Sequence, residues 1–395
     1  MSPRGVAVFG CTGSIGDTTF KVLEGLALQP EAPDLEVVAL SAGGRVAELI
    51  THSRRWRPSR VCVGNAADVA LVKAALPGVD VVCGADGLES LAADPQVDVV
   101  VNGLVGAVGL RPTLAALHAG TDVAMANKEP LVMVGNLVLE AAERGGGRIL
   151  PVDSEPSAMW QCLNGERAHE VTRLILTASG GAFRDRSREQ LSAVTPEEAL
   201  NHPTWNMGPK ITVDSATLMN KGFEVIEASW LFNVHVDAVE VVIHRESIVH
   251  SMVEFVDGSI IAHLGRTDMS LPIQYALTEP ERYPGPPHLD LTELGALHFE
   301  APDLSNFPAL ELCYRVGRLG GTMPVALNAA NEVGVAAFLS GRIGFLQIHN
   351  VNELVVEGHN VAAANCLGTV LEVDRQAREC ADRAVCHIEE ERRGE

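Results

Sequence analysis

The sequence predicts an α/β protein in three parts: an N-terminal doubly wound parallel sheet, a central α+β catalytic region with a mixed sheet, and a C-terminal helical bundle. Three observations carry this reading. Residues 1–150 alternate short β-branched runs with Ala- and Leu-rich helical stretches, the pattern of a parallel sheet covered on both faces. From Pro151 to Pro284 the apolar runs read instead as strands of a second sheet, interrupted by a loop rich in proline and glycine. The last part, with Met323 to Leu339 and Asn352 to Arg392, is Ala-rich and helical in pattern. At 395 residues the chain exceeds one ordinary core. The expected organisation is 1–150, a nucleotide-binding domain; 151–285, a catalytic domain; 286–308, a linker punctuated by proline; and 309–395, the helical domain.

The first element is a buried strand, Val6-Ala7-Val8-Phe9, followed by the turn Gly10-Cys11-Thr12-Gly13-Ser14-Ile15-Gly16 and an amphipathic helix through Val22, Leu23, Leu26 and Leu28. The spacing is G-x-x-G-x-x-G. Glycines there let the backbone approach a pyrophosphate, whose charge is met by free N–H groups at the helix N-terminus. The second strand, Glu36 to Leu40, ends in Ser41-Ala42-Gly43-Gly44-Arg45. No acid stands there to bind a ribose 2′-hydroxyl, and Arg45 suits a 2′-phosphate, so NADP is favoured over NAD; the plainer reading of Arg45 is a surface arginine at a helix start. Strands follow at Arg60–Val63, Asp80–Cys83, Asp98–Val101 and Asp122–Ala126. Ligands in such sheets bind beyond the carboxyl ends of the strands, where Asn102-Gly103 and Asn127-Lys128-Glu129 fall.

In the central region an apolar run, Ile149 to Val152, closes on Asp153-Ser154-Glu155. Read as an extended strand, it sends the Asp153 and Glu155 side chains to one face. Some 70 residues on, Asn220 and Glu224 lie four apart, one face of a helix, with Lys221 between them as a cation for a phosphate. Three carboxylates, Asp153, Glu155 and Glu224, form an oxygen-only set suited to Mg²⁺ or Mn²⁺; each acidic pair alone reads as a solvated turn. Strands are expected at Thr172–Thr177, Val239–Ile243 and Ile248–Phe255. Between them Asn201-His202-Pro203-Thr204-Trp205-Asn206-Met207-Gly208-Pro209 is too rich in breakers for regular structure. A histidine and a tryptophan on such a loop suit a lid that excludes water.

A net charge of −21 argues against a nucleic-acid partner, because polyanion binding needs excess Lys and Arg. No apolar run reaches membrane-spanning length. The first strand begins at Val6, leaving no room for a leader, so a cytoplasmic protein is expected. Eight cysteines lack any C-x-x-C pair, which indicates reduced thiols and neither zinc nor a redox motif.

Several of these residues fall in motifs that together resemble the 1-deoxy-D-xylulose 5-phosphate reductoisomerase family nearly end to end. They are Gly13-Ser14-Ile15-Gly16, Ala126-Asn127-Lys128-Glu129, Val152-Asp153-Ser154-Glu155, Thr177-Ala178-Ser179-Gly180-Gly181, His202-Pro203-x-Trp205, Val213-Asp214-Ser215-Ala216-Thr217, Met219-Asn220-Lys221-Gly222 and Asn328-Ala329-Ala330-Asn331-Glu332. The resemblance implies NADPH-dependent rearrangement and reduction of a five-carbon sugar phosphate to 2-C-methyl-D-erythritol 4-phosphate, in the non-mevalonate isoprenoid route, by a homodimer. It puts the divalent ion on Asp153, Glu155 and Glu224, and the substrate phosphate on Ser179, Ser215, Asn220 and Lys221. Ser154 and Lys128 would contact other substrate oxygens, and His202, Trp205 and Met207 would form the lid. Thr12, Gly13, Ser14, Ile15, Gly43, Gly44, Arg45, Asn127, Glu129 and Gly208 would hold the cofactor. Lys128 and Glu155 are the candidates for proton transfer.

The chain departs from the family pattern at a few places. Pro156 stands where histidine is usual, Arg45 for asparagine, Pro130 for serine, Glu246 for glutamine, and Thr267 and Ser270 for proline and arginine. None is an expected metal or phosphate ligand. The alternatives are a paralogue acting on another sugar phosphate or phosphonate, or an inhibitor-resistant variant, and, from another class, a non-catalytic NADP-binding regulator.

Overall fold

The structure, a computed structural model, describes residues 3–394, so Met1, Ser2 and Glu395 at the ends of the first and last expected parts lie outside it. The chain forms two compact units, each discontinuous in sequence.

The first unit takes the chain to Pro130, Val138–Ser157 and Asp268–His288. Its sheet has seven strands: β1 (Arg4–Phe9), β2 (Leu35–Ala42), β3 (Arg60–Val63), β4 (Asp80–Cys83), β5 (Val99–Asn102), β6 (Asp122–Met125) and β7 (Ile149–Pro151). The order is β4-β3-β2-β1-β5-β6-β7, and every neighbouring pair is parallel. Both faces are covered, so Val6 to Phe9 and Val99 to Val101 are almost wholly buried, which is why these strands read as continuous apolar runs. β1 pairs with β2 on one side and β5 on the other. The strand order therefore reverses at β1, and the crevice beyond its carboxyl end is where a ligand belongs. A distant helix, Ser270–Thr278, joins this unit: Arg4 donates to the Leu277 carbonyl at 3.2 Å and the Tyr283 hydroxyl to the Glu31 carbonyl at 2.9 Å.

The second unit comprises Leu131–Leu137, Ala158–Thr267 and the chain from Leu289. Its four strands, β8 (Val171–Ala178), β9 (Val239–Ile243), β10 (Val249–Phe255) and β11 (Ile260–Leu264), lie in the order β11-β10-β8-β9. β8 and β9 are parallel and the other pairs antiparallel, so the sheet is mixed, as expected. β11 is an addition to the sequence reading. It follows Asp257-Gly258, a hairpin signal, but its residues are mostly exposed, and so lack a buried strand's apolar alternation.

The helical part consists of Ala309–Leu319, Met323–Leu339, Phe345–Gly358 and Leu367–Gly394. The reading of Asn352 to Arg392 as one helical stretch is corrected: the chain leaves the helix at Gly358 and re-enters at Leu367. Leu312, Cys313 and Val316 pack with Met219, Phe223 and Ile226 in one core. Gly222 permits this close approach, since a Cβ there would lie 2.4 Å from the Cys313 sulfur. All eight cysteines are free thiols, and burial pushes those of Cys11 and Cys62 up to about 12. Among the described residues no helix is long and apolar enough to cross a membrane.

Candidate active site

The residues expected to form the site fall into two sets, one on each unit. On the first unit, the glycine turn after β1 has a separate physical reason for each glycine. Gly10 sits at φ +72°, and a Cβ there would be 2.6 Å from the Gly103 carbonyl oxygen. A Cβ on Gly16 would be 2.5 Å from the Cys11 backbone, so this glycine lets the helix Ser14–Ala27 sit against the turn. Gly13 is that helix's N-cap in extended backbone with no side-chain cap, which leaves first-turn N–H groups for an anion. Gly43 and Gly44 have open space around them. Arg45 begins the next helix, more than half exposed and 3.3 Å from Glu48.

At the end of β6, the Asn127 amide nitrogen donates to the Gly106 carbonyl at 3.2 Å and to Glu129 at 2.6 Å. Its Oδ1 is buried without a hydrogen-bond partner. Gly109 makes room for it, as a Cβ there would be 1.6 Å from this oxygen. A buried acceptor left open in this way fits a donor that the chain itself does not supply. Lys128 is buried, its Nζ 2.5 Å from Asp153 Oδ2.

The strand reading of Asp153 and Glu155 is corrected. β7 ends at Pro151 and the helix Ser154–Cys162 starts at once. Asp153 caps it, its Oδ1 accepting from Ser154 N at 3.1 Å and its carbonyl from Ser157 N at 2.9 Å. Glu155 lies in the first turn, where the Ser154 hydroxyl donates to it at 2.6 Å. The two acids are thus presented by a helix start. Pro156 is compatible with this, because a first-turn residue has no intrahelical use for an N–H.

On the second unit, Ser179 follows β8 and is carried by Gly180 and Gly181 at φ +83° and +73°. A Cβ on Gly181 would meet the Ser215 carbonyl oxygen at 2.5 Å. The turn therefore lies directly on the helix Pro209–Thr217. His202 Nε2 lies 3.0 Å from the Ser179 hydroxyl and 3.1 Å from that of Ser215. Its Nδ1 accepts from the N–H groups of Thr204 and Trp205 at 3.2 and 3.0 Å. An acceptor Nδ1 leaves the proton on Nε2, so the neutral ring donates into the serine pair. Burial, with the Arg184 charge nearby, lowers the His202 pKa to about 4.

Trp205 and Met207 are half-buried on the irregular loop, and the Trp205 ring is 6.1 Å from that of His250. Gly208 caps the helix that follows. In the helix Met219–Leu231, Asn220 donates to Glu224 Oε1 at 2.6 Å, and the Lys221 ammonium is held by Glu224 Oε2. Asn220 and Glu224 share a face, as their spacing predicts.

Arg184, Lys210 and the pairing of Asp214 escaped the sequence reading. Arg184 donates to the Ser179 carbonyl at 2.6 Å, while Lys210 and Asp214 pair at 2.7 Å. A lone arginine in a loop gives no periodic signal; the i, i+4 spacing of Lys210 and Asp214 could have been seen. A polar cavity of about 560 Å³ lined by Arg4, Asp94, Asp98, Asp122 and Arg148 lies at the amino ends of the strands. That is the wrong end for a ligand of such a sheet.

A parallel sheet with a glycine turn and an uncapped helix start at its reversal point is the architecture of the dinucleotide-dependent oxidoreductases. Family models described as 1-deoxy-D-xylulose 5-phosphate reductoisomerase, its C-terminal domain and the DXP reductoisomerase C-terminal domain match residues 6–135, 149–232 and 264–380. The 1-deoxy-D-xylulose 5-phosphate reductoisomerase of Pelotomaculum thermopropionicum is 50% identical over 380 residues, covering 95% of this chain and 97% of its own. That of Listeria monocytogenes is 49% identical over 376 residues, covering 94% and 97%. A solved DOX-P reductoisomerase in complex with NADPH, fosmidomycin and magnesium superposes with a TM-score of 0.90 at 38% identity, covering 97% of this chain and 98% of that one. The enzyme from Zymomonas mobilis in complex with NADPH gives 0.88 at 40%, covering 97% and 99%. The chain belongs to the 1-deoxy-D-xylulose 5-phosphate reductoisomerase family.

Proposed function

We propose that this protein converts 1-deoxy-D-xylulose 5-phosphate to 2-C-methyl-D-erythritol 4-phosphate, using NADPH and Mg²⁺ or Mn²⁺, as a cytoplasmic homodimer of the non-mevalonate isoprenoid route. The observation that carries the reading is identity near one half across about 95% of the chain, with Lys128, Asp153, Ser154, Glu155, Ser179, His202, Ser215, Asn220, Lys221 and Glu224 all present.

The donor set fits a divalent ion. Asp153 and Glu224 are each held against a lysine ammonium, so each carboxylate already sits in a place built for a cation. Asp153, Glu155 and Glu224 would be the ligands. Thr12, Gly13, Ser14, Ile15, Gly43, Gly44, Arg45, Asn127, Glu129 and Gly208 would hold the dinucleotide. When bound, the ion supplies Lewis acidity at the ketone and adjacent hydroxyl, and the reduced nicotinamide supplies hydride.

The chain's own residues do the rest. Ser179, His202, Ser215, Asn220 and Lys221 hold the phosphate by hydroxyls, a neutral imidazole, an amide and an ammonium. Lys128 and Ser154 orient the substrate oxygens, Lys128 donating where negative charge develops as one carbon–carbon bond breaks and another forms. Lys128 or Glu155 carries the proton. Trp205 and Met207 close over the substrate and keep the rearranged aldehyde from water.

The test is turnover. Purified protein with 1-deoxy-D-xylulose 5-phosphate and NADPH should oxidise NADPH only when Mg²⁺ or Mn²⁺ is added, yielding 2-C-methyl-D-erythritol 4-phosphate. Glu224→Gln should lower kcat by on the order of 100-fold or more with NADPH binding intact. A protein that binds NADPH but never oxidises it with this substrate would reject the reading.

A further inference from the structure

A phosphate dianion needs more positive charge than the one ammonium assigned to it, that of Lys221, and the other groups closest to Ser179 do not supply it. The hydroxyls of Ser179 and Ser215 are neutral, and His202 is held as a neutral Nε2–H donor by its two backbone contacts. The ammonium of Lys221 is held by Glu224 and that of Lys210 by Asp214. Arg184 is different. Its side chain is 22% exposed and its nearest carboxylate, Asp185, lies 3.7 Å away. Asp185 is itself engaged by Arg245 at 2.8 Å. Among the described residues, the one hydrogen bond its guanidinium makes is to the Ser179 carbonyl, at 2.6 Å.

The fold makes space for this arrangement. A Cβ on Gly180 would lie 2.9 Å from Arg184 Cδ, so the glycine allows the arginine stem to lie across the turn that presents Ser179. A guanidinium tethered by one N–H keeps others for a second acceptor, in a planar fork that matches phosphate oxygens.

Resting on the sugar-phosphate reading above, we propose that Arg184 is a further substrate-binding residue, whose guanidinium closes the Ser179–His202–Ser215 cradle and sets its preference for a phosphorylated substrate. The residue whose carbonyl holds Arg184 is the one whose hydroxyl meets His202 Nε2 at 3.0 Å, which places Arg184 at the cradle. A charge-assisted contact of this kind is lost in Arg184→Met and Arg184→Gln and largely kept in Arg184→Lys.

The experiment measures steady-state kinetics of these three variants, together with calorimetric titration of inorganic phosphate into the enzyme loaded with NADPH and Mg²⁺. Arg184→Met should raise KM for the sugar phosphate about 10- to 100-fold and weaken inorganic phosphate in parallel, with kcat and KM for NADPH within about 3-fold of the parent. Lysine should recover most of the loss and glutamine little. Recovery by glutamine, which can still donate to the Ser179 carbonyl but carries no charge, would show a loop brace and overturn the assignment. So would an unchanged KM and phosphate affinity in Arg184→Met. Should that variant fail to fold, the lysine and glutamine pair still decides. The phosphate titration needs no turnover, so an inactive parent with Arg184-dependent phosphate binding would sink only the proposed reaction.

Discussion

His202 acts at a single nitrogen, and its other nitrogen decides how. Because Nδ1 accepts two backbone N–H groups of its own loop, protonating it would remove both contacts and unseat Thr204 and Trp205. Burial first, then the nearby Arg184 charge, lowers the folded pKa from 6.5 to about 4. The sign follows from linkage: between these values the unfolded chain binds the proton and the folded one does not. The contribution to stability is therefore full above pH 6.5 and is lost as pH falls from 6.5 towards 4. Nitrogen-15 NMR of the free enzyme should show a neutral Nε2–H ring with no titration between about pH 5.5 and 8. A midpoint near the ordinary histidine value would contradict this tautomer. Asparagine at position 202 should keep the loop turn, its Oδ1 accepting from Thr204 and Trp205 in place of Nδ1, and lose the donor to Ser179 and Ser215. The His-Pro-x-Trp sequence gave away an irregular loop, but the tautomer needed the fold, because it rests on which backbone N–H groups the loop turns inward.

The helix Pro209–Thr217 runs from the His202 loop to Ser215, and it is fastened from behind by a polar chain. Asp214 accepts from Lys210 at 2.7 Å and from Asn331 at 2.7 Å, and Asn331 in turn accepts from Asn352 at 3.2 Å. Asp214, Asn331 and Asn352 are buried, so leaving one partnerless carries the desolvation penalty of an unmade bond. Asn331→Ala should cost about 1–3 kcal/mol, read as a lower urea midpoint of the second unit. Asn331→Asp should destabilise more at pH 7, by facing one carboxylate with another, and recover part of the loss below about pH 5 where the pair shares a proton. Equal effects at both pH values would argue against the carboxylate contact. Other elements were legible in the sequence: the parallel strands of the first unit through buried β-branched runs, and the Asn220–Glu224 face through its spacing. The sequence did not reveal the junction at Pro151–Ser154, where an apolar run continues by pattern but the chain turns into a helix. There the Asp153 cap outweighs strand alternation, and capping is a contact that periodicity does not encode. The break after Gly358 and the exposed β11 escaped for a related reason, since neither buries a patterned face.

At the scale of the whole molecule, a net charge of −21 opposes any self-association, so the homodimer proposed above needs a surface that outweighs it at short range. β11 offers one. It is the outer strand of the mixed sheet, and Ile260, Ile261 and Leu264 are 50%, 38% and 39% exposed. Soluble proteins rarely leave such an edge bare, protecting it with charge, proline or a bulge, or covering it. A second copy of the same strand about a twofold axis would continue the sheet from one copy into the other and cover part of that apolar edge. The repulsion between two acidic chains is long-ranged and screened over about 10 Å at 0.1 M ionic strength but about 30 Å at 0.01 M, whereas edge pairing is a contact interaction. The dimer should accordingly loosen as salt is removed. Light scattering behind size exclusion should give twice the chain mass at about 0.15 M salt and a shift towards monomer near 0.01 M. Ile261→Lys, which puts a charge on the apolar edge, should yield monomer at both. A dimer untouched by that substitution would move the interface to another surface, and a monomer at every salt concentration would remove the homodimer altogether.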